Sequence, residues 1–190
     1  MNIERMLILA DHLKTVPHTE AWPLTSGPAL SGFNMAHYIC GTSACIAGWA
    51  CELFGPIERY VSDIYGWASF KLDLDEKAAK DLFLNDNSFV SKGKDLASIE
   101  PMEAVDAILR MARQEVARLI WIEDVSPFGG LHIVIEDLNI DDESIQMCLD
   151  SGGLSPAERG VALYLLRLDE AGRQSLLVEA GQAQWGDFDG

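Results

Sequence analysis

Three cysteines, Cys40, Cys45 and Cys51, crowd one segment, with His37 just ahead of them and Cys148 far downstream. Thiolate and imidazole are the ligands zinc prefers, so His37, Cys40 and Cys45 form a candidate metal set. The spacing argues against it. On one helix Cys45 and Cys51 are separated by about 240° around the axis, so they face different sides. The zinc-type CxxC pair is missing, and cysteine outside disulfides is among the most buried residue types. Buried structural cysteines are the simpler reading, and no cofactor is expected. A second chemistry is nucleophilic. Cys40-Gly41 directly precedes an apolar helix expected over 43–54, and a helix N-terminus favours a thiolate.

Cys40-Gly41 before a buried helix, then a histidine in a later β-branched run (Leu131-His132-Ile133-Val134-Ile135) followed by Asp137 or Asn139, resembles papain-like peptidases, including those that cleave bacteriocin leaders. The resemblance implies a thiol hydrolase with Cys40 as nucleophile, His132 as base, Asp137 or Asn139 orienting it, and Asn34 supplying the oxyanion amide. The chain departs from that pattern in two places. A glutamine normally stands where Asn34 does, and a single strand run replaces a sheet.

Other site motifs fail at decisive positions. Asp137-x-Asn139-x-Asp141 opens like an EF-hand loop, but the sixth position is Asp142 where glycine is needed and the twelfth is Cys148 where glutamate is needed. Gly41-Thr42 leads a helix with no lysine at P-loop spacing. A helix-turn-helix over 142–180 would carry only Arg159, Arg167 and Arg173 among many carboxylates, the wrong sign for a phosphate backbone.

That sign runs through the whole chain. In 190 residues, 30 acidic side chains stand against 14 basic ones, for a net charge of −16. Direct nucleic-acid binding and adsorption to anionic membranes are therefore not expected. Residues 1–120 hold 16 acids and 11 bases, whereas 121–190 hold 14 acids and 3 bases. The run from Glu136 to Asp150 has six carboxylates (Glu136, Asp137, Asp141, Asp142, Glu143, Asp150) and no base. These six are the candidate binding residues for a basic protein partner, such as a nucleic-acid-binding protein whose groove the acidic surface would block. The charge-free stretch 21–51 is broken by Pro23, Pro28 and His37, and the apolar run at 6–10 is too short for a signal-peptide core. A cytoplasmic protein with reduced thiols is expected.

The elements that would position these residues are mostly helical. Asn2 is placed to cap a helix over 3–15, and 17–39 read as an ordered loop rich in Pro, Gly, Ser and Thr. The 43–54 helix, capped by Thr42 or Gly41 and stopped by Gly55-Pro56, is apolar on nearly every side and belongs in a core. A short helix is expected within 57–72 and another over 76–84, capped by Asp75 and burying Ala79, Leu82 and Phe83. Pro101 opens the longest helix, to about 120, with Val105, Ile108, Leu109, Ala112, Val116, Leu119 and Ile120 in one stripe. A strand is expected near 131–135. Ser155-Pro156-Ala157-Glu158 is a capping box with proline at N1, and Asp169 is placed to cap a last helix ending at Gly181.

Gly32-Phe33-Asn34-Met35 and the block Cys40-Gly41-Thr42-Ser43-Ala44-Cys45-Ile46-Ala47-Gly48-Trp49 resemble a family of small uncharacterised bacterial and phage proteins, together with Leu82-Phe83 and the helix at Pro101. The resemblance covers about residues 3–120 and implies no activity. The expectation is a mainly α protein: a helical domain over 1–120 and a small acidic α+β extension over 121–190. Its function would be protein binding, with the thiol hydrolase and a structural metal protein as alternatives.

Overall fold

The computed structural model describes residues 1–19, 32–36, 39–40, 43–55, 63–84, 90, 94–124 and 142–186. The fold is mainly α. The chain divides into two compact units, Met1–Met111 and Ala112–Gly190.

In the first unit, Asn2 caps helix α1 (Ile3–Leu13) by accepting from the Arg5 amide at 3.0 Å, and Ile3, Met6, Leu7, Leu9, Ala10 and Leu13 are buried. Three two-residue strands follow: β1 (Gly32–Phe33), β2 (Ile39–Cys40) and β3 (Ser43–Ala44), in spatial order β1-β3-β2. β3 runs parallel to β1 and antiparallel to β2, with Cys40 opposite Ser43. The helical domain expected over 1–120 thus contains a small sheet, and β1 and Ile39 of β2 fall within the segment 17–39 that reads as an ordered loop. His18 also bridges to Phe33, so the described parts of that segment are joined by backbone pairing.

This sheet moves the start of the second helix. Helix α2 spans Ile46–Phe54, with Cys45 as its N-cap residue and Gly55 at its end. The expected start near 43, capped by Thr42 or Gly41, is three residues early. The Ala44 carbonyl accepts from the Asn34 amide at 3.1 Å, so the backbone at 43–44 already has strand partners. As expected, α2 is a core element: every residue from Ile46 to Cys51 is buried.

Helix α3 (Ile64–Leu72) occupies the last part of the predicted 57–72 segment and packs on α2. Its cap, Asp63, accepts from the Gly66 amide at 2.7 Å. A Cβ at Gly66 would meet the Asp63 carboxylate at 2.2 Å, so glycine is what lets the cap lie against the turn. Asp73 closes α3 in the left-handed conformation, φ 53°. Helix α4 (Glu76–Phe83) is capped by Asp75 and buries Ala79, Leu82 and Phe83, as its pattern predicted. A short 3₁₀ turn (Leu96–Ser98) precedes helix α5 (Pro101–Asp124), in which Val105, Ile108, Ala112, Val116 and Ile120 are buried.

The border between the units falls inside α5. The second unit continues with α6 (Asp142–Asp150), α7 (Pro156–Leu165) and α8 (Glu170–Gly186). The capping box at the start of α7 is complete, with both the Ser155 and Glu158 side chains bonded to backbone amides. α8 passes through Gly181 and ends five residues later than expected. Glycine in a helix interior costs about 1 kcal/mol, which a continuing helix tolerates. Arg173 of α8 donates to the Leu165 carbonyl at 3.2 Å and to the Asp142 carboxylate, tying α6, α7 and α8 together. The strand expected at 131–135 lies outside the described residues.

Candidate functional site

The cysteine block builds a core. Cys45 begins α2, Trp49 follows one turn later, and its indole Nε1 donates to the Gly32 carbonyl of β1 at 3.1 Å. The His12 ring packs on Trp49 with centroids 4.7 Å apart, and its Nε2 is sealed from solvent without a hydrogen-bond partner among the described residues. Burial pushes the Cys45 thiol up to about 11, against the downward pull of the Gly48 and Ala47 amides. Burial also raises the Cys51 thiol to about 11, with Lys71 opposing that shift and Asp63 adding to it. Cys51 Sγ is 3.7 Å from the Ile64 carbonyl, a thiol–backbone contact between α2 and α3. Both thiols are therefore protonated at neutral pH, and desolvation outweighs the helix dipole at Cys45.

The premise for activating Cys40 changes with the helix start. Cys40 stands in β2, and the open amides at the N-terminus of α2 lie at Cys45, five residues on. Asn34, the proposed oxyanion amide, is 3% exposed. Its Nδ2 donates to the Thr19 carbonyl at 2.8 Å and its Oδ1 accepts from the Ala36 amide at 2.9 Å. The carboxamide thus clasps two backbone segments. His37, His132, Asp137 and Asn139 lie outside the described residues, as do the side chain of Cys40 and the acidic residues Glu136 and Asp141. Among the described residues no three His, Cys, Asp or Glu side chains gather as a metal set.

Of the acidic candidates, Asp142, Glu143 and Asp150 are exposed on α6. Asp142 is engaged by Arg173, and Asp150 accepts from Gln146 at 2.9 Å. Met147 stands between them at 66% exposure, while Ile145 and Leu149 face inward.

Among the described residues, the largest departure from ordinary burial lies on α3. Phe70 is 73% exposed and Trp67 is 43% exposed, and their rings meet edge to face at 6.0 Å. Only Ala68 and Leu72 of this helix are buried. The Lys71 ammonium lies 4.9 Å from the Trp67 centroid, and Arg5 donates to the Lys71 carbonyl at 2.6 Å. The Arg5 guanidinium also sits 5.6 Å over the Phe54 ring. Carboxylates flank the pair along the chain, Asp63 before it and Asp73, Asp75 and Glu76 after it, all exposed. Covering both rings would remove about 250 Å² of apolar surface from water, on the order of 6 kcal/mol before any cost of association.

Sequence reading placed a helix here and missed the pair. The signal was in its composition. Ile64, Tyr65, Trp67, Ala68, Phe70 and Leu72 put apolar side chains all round a 9-residue helix, more than one buried face can take.

No family model matches the chain, and no curated protein or solved structure does either. Among the described residues, no helix is long and apolar enough to cross a membrane.

Proposed function

We propose that the protein is an acidic protein-binding module that docks through the Trp67–Phe70 face of α3. The observation that carries this reading is the pair itself: two adjacent aromatic side chains, 43% and 73% exposed, on a helix packed against α2. Aromatic residues at such positions are the usual anchors of protein interfaces, because they bury large area at little entropic cost. The partner class follows from charge. With a net −16 and carboxylates on both sides of the rings, the module suits a basic protein, of which a nucleic-acid-binding protein is the natural example. In the second unit, Glu143 and Asp150 around exposed Met147 on α6 carry charge of the same sign. An accessory or inhibitory role in a cytoplasm fits this chemistry, and the resemblance to phage proteins adds an analogy without an activity.

The test is affinity capture from the protein's own cells with the wild type and with a Trp67→Ser/Phe70→Ser variant. Phe70 is mostly exposed and Trp67 is a little under half exposed, so the variant should keep its helical circular dichroism with a modest fall in melting temperature. A specific partner held by the wild type and lost by the variant is the expected result. The same proteins retained by both would remove α3 as the docking face.

A further inference from the structure

We propose that the segment received by α3 is an amphipathic helix of the partner, with apolar side chains at its centre and lysine or arginine at both ends; this rests on the reading of α3 as the docking face. Three features of the face specify it. The exposed row Asp63, Trp67, Phe70 follows the i, i+4, i+7 spacing by which one helix meets another. The next exposed carboxylate, Asp73, is the residue that terminates α3, so the aromatic pair lies between two acidic ends. Asp73 also lies 3.5 Å from the α-amine of Met1, which shows that its carboxylate already attracts a cation. At 1.5 Å per residue the two ends are about 15 Å apart, the span of ten residues in a facing helix.

The one cation within the row, Lys71, is turned onto the Trp67 face; Asp63 accepts from the Gly66 amide and Asp73 pairs with the Met1 amine, yet both residues stay exposed to a further cation. A second copy of this chain is a poor occupant, since two molecules of charge −16 repel each other and present no matching basic helix among the described residues. Single-stranded nucleic acid, which also stacks on exposed aromatic rings, would bring phosphates against the same carboxylates.

The experiment titrates the full-length protein with a labelled 18-residue peptide bearing leucines at helical i, i+3, i+4, i+7 spacing and lysines at both ends. Three controls accompany it: the peptide with glutamate for lysine, a scrambled peptide of the same composition, and a single-stranded oligonucleotide. Phe70→Ala should weaken binding of the basic peptide at least tenfold. Asp63→Asn with Asp73→Asn should weaken it several-fold and flatten its salt dependence, while preserving the fold, because asparagine caps helices and tolerates positive φ as aspartate does. Equal binding of the scrambled or acidic peptide, tighter binding of the oligonucleotide, or Phe70-dependent self-association without peptide binding would each overturn the proposal. Failure of every peptide alongside a cellular partner that still depends on Phe70 would overturn the helical occupant and leave the docking face standing. A cellular partner indifferent to Phe70 would overturn the docking face itself.

Discussion

Alkylation of Cys45 separates a core thiol from an activated nucleophile. With its pKa held near 11 instead of 9.0, Cys45 carries about one hundredth of the thiolate of an ordinary cysteine at pH 7. The thiolate is the reacting form, so iodoacetamide should modify Cys45 at least about 100-fold more slowly in the folded protein than in guanidinium at the same pH. Its exposure of 1% slows the reaction further, because reagent must wait for an opening fluctuation. The assay is a quenched time course with site-resolved mass spectrometry, in which Cys148, partly exposed on α6, serves as the internal comparison. Two outcomes are expected. Cys148 is labelled well before Cys45, and the Cys45 rate climbs about tenfold per pH unit from 7 to 9 with no plateau. A thiolate stabilised by the start of α2 would instead react rapidly at pH 7 and level off near neutrality. A folded-to-unfolded rate ratio above about one tenth at Cys45 would refute the assignment of desolvation as the dominant effect.

The same shift predicts alkaline destabilisation. Between pH 9 and about 11 an unfolded Cys45 releases its proton while the folded one retains it, so stability present below pH 9 is lost as the pH rises. The loss should reach about 2 kcal/mol by pH 10.5 and approach about 3 kcal/mol above pH 11, seen as a denaturant midpoint that falls more between pH 8 and 10.5 in the wild type than in Cys45→Ala. In the second unit, Ser155→Ala removes an amide bond from the capping box of α7 and should cost about 1 kcal/mol. An unchanged urea midpoint would show that the start of α7 is held by other contacts.

What could be read from the residues in order was whatever a few neighbours decide. Asn2, Asp75 and Ser155 each bond an amide within three residues, so α1, α4 and α7 were legible with their caps. The stripe from Val105 to Ile120 predicted α5, and the nearly uncharged Ile46–Phe54 segment predicted a core helix, since burial there needs only apolar side chains. The candidate thiol site was less legible. Cys40-Gly41-Thr42-Ser43 looks locally like the lead-in to a helix, and only the pairing of β3 with β1, whose residues lie eleven positions earlier, moves that helix start to Cys45.

Tertiary structure also decided which side chains remained outside. Trp67 and Phe70 are as apolar as the residues that α3 buries, and nothing in their own identity assigns them to solvent. A short helix with apolar groups on every side must choose one face for the core, and packing against α2 chose Ala68 and Leu72. The sequence by itself determined most of the helices, the caps of α1, α4 and α7 and the acidic charge, because these depend on local hydrogen bonds and composition. The protonated thiols, the buried Asn34 clasp and the exposed aromatic pair were settled by contacts between distant segments, because burial is a property of the assembled fold.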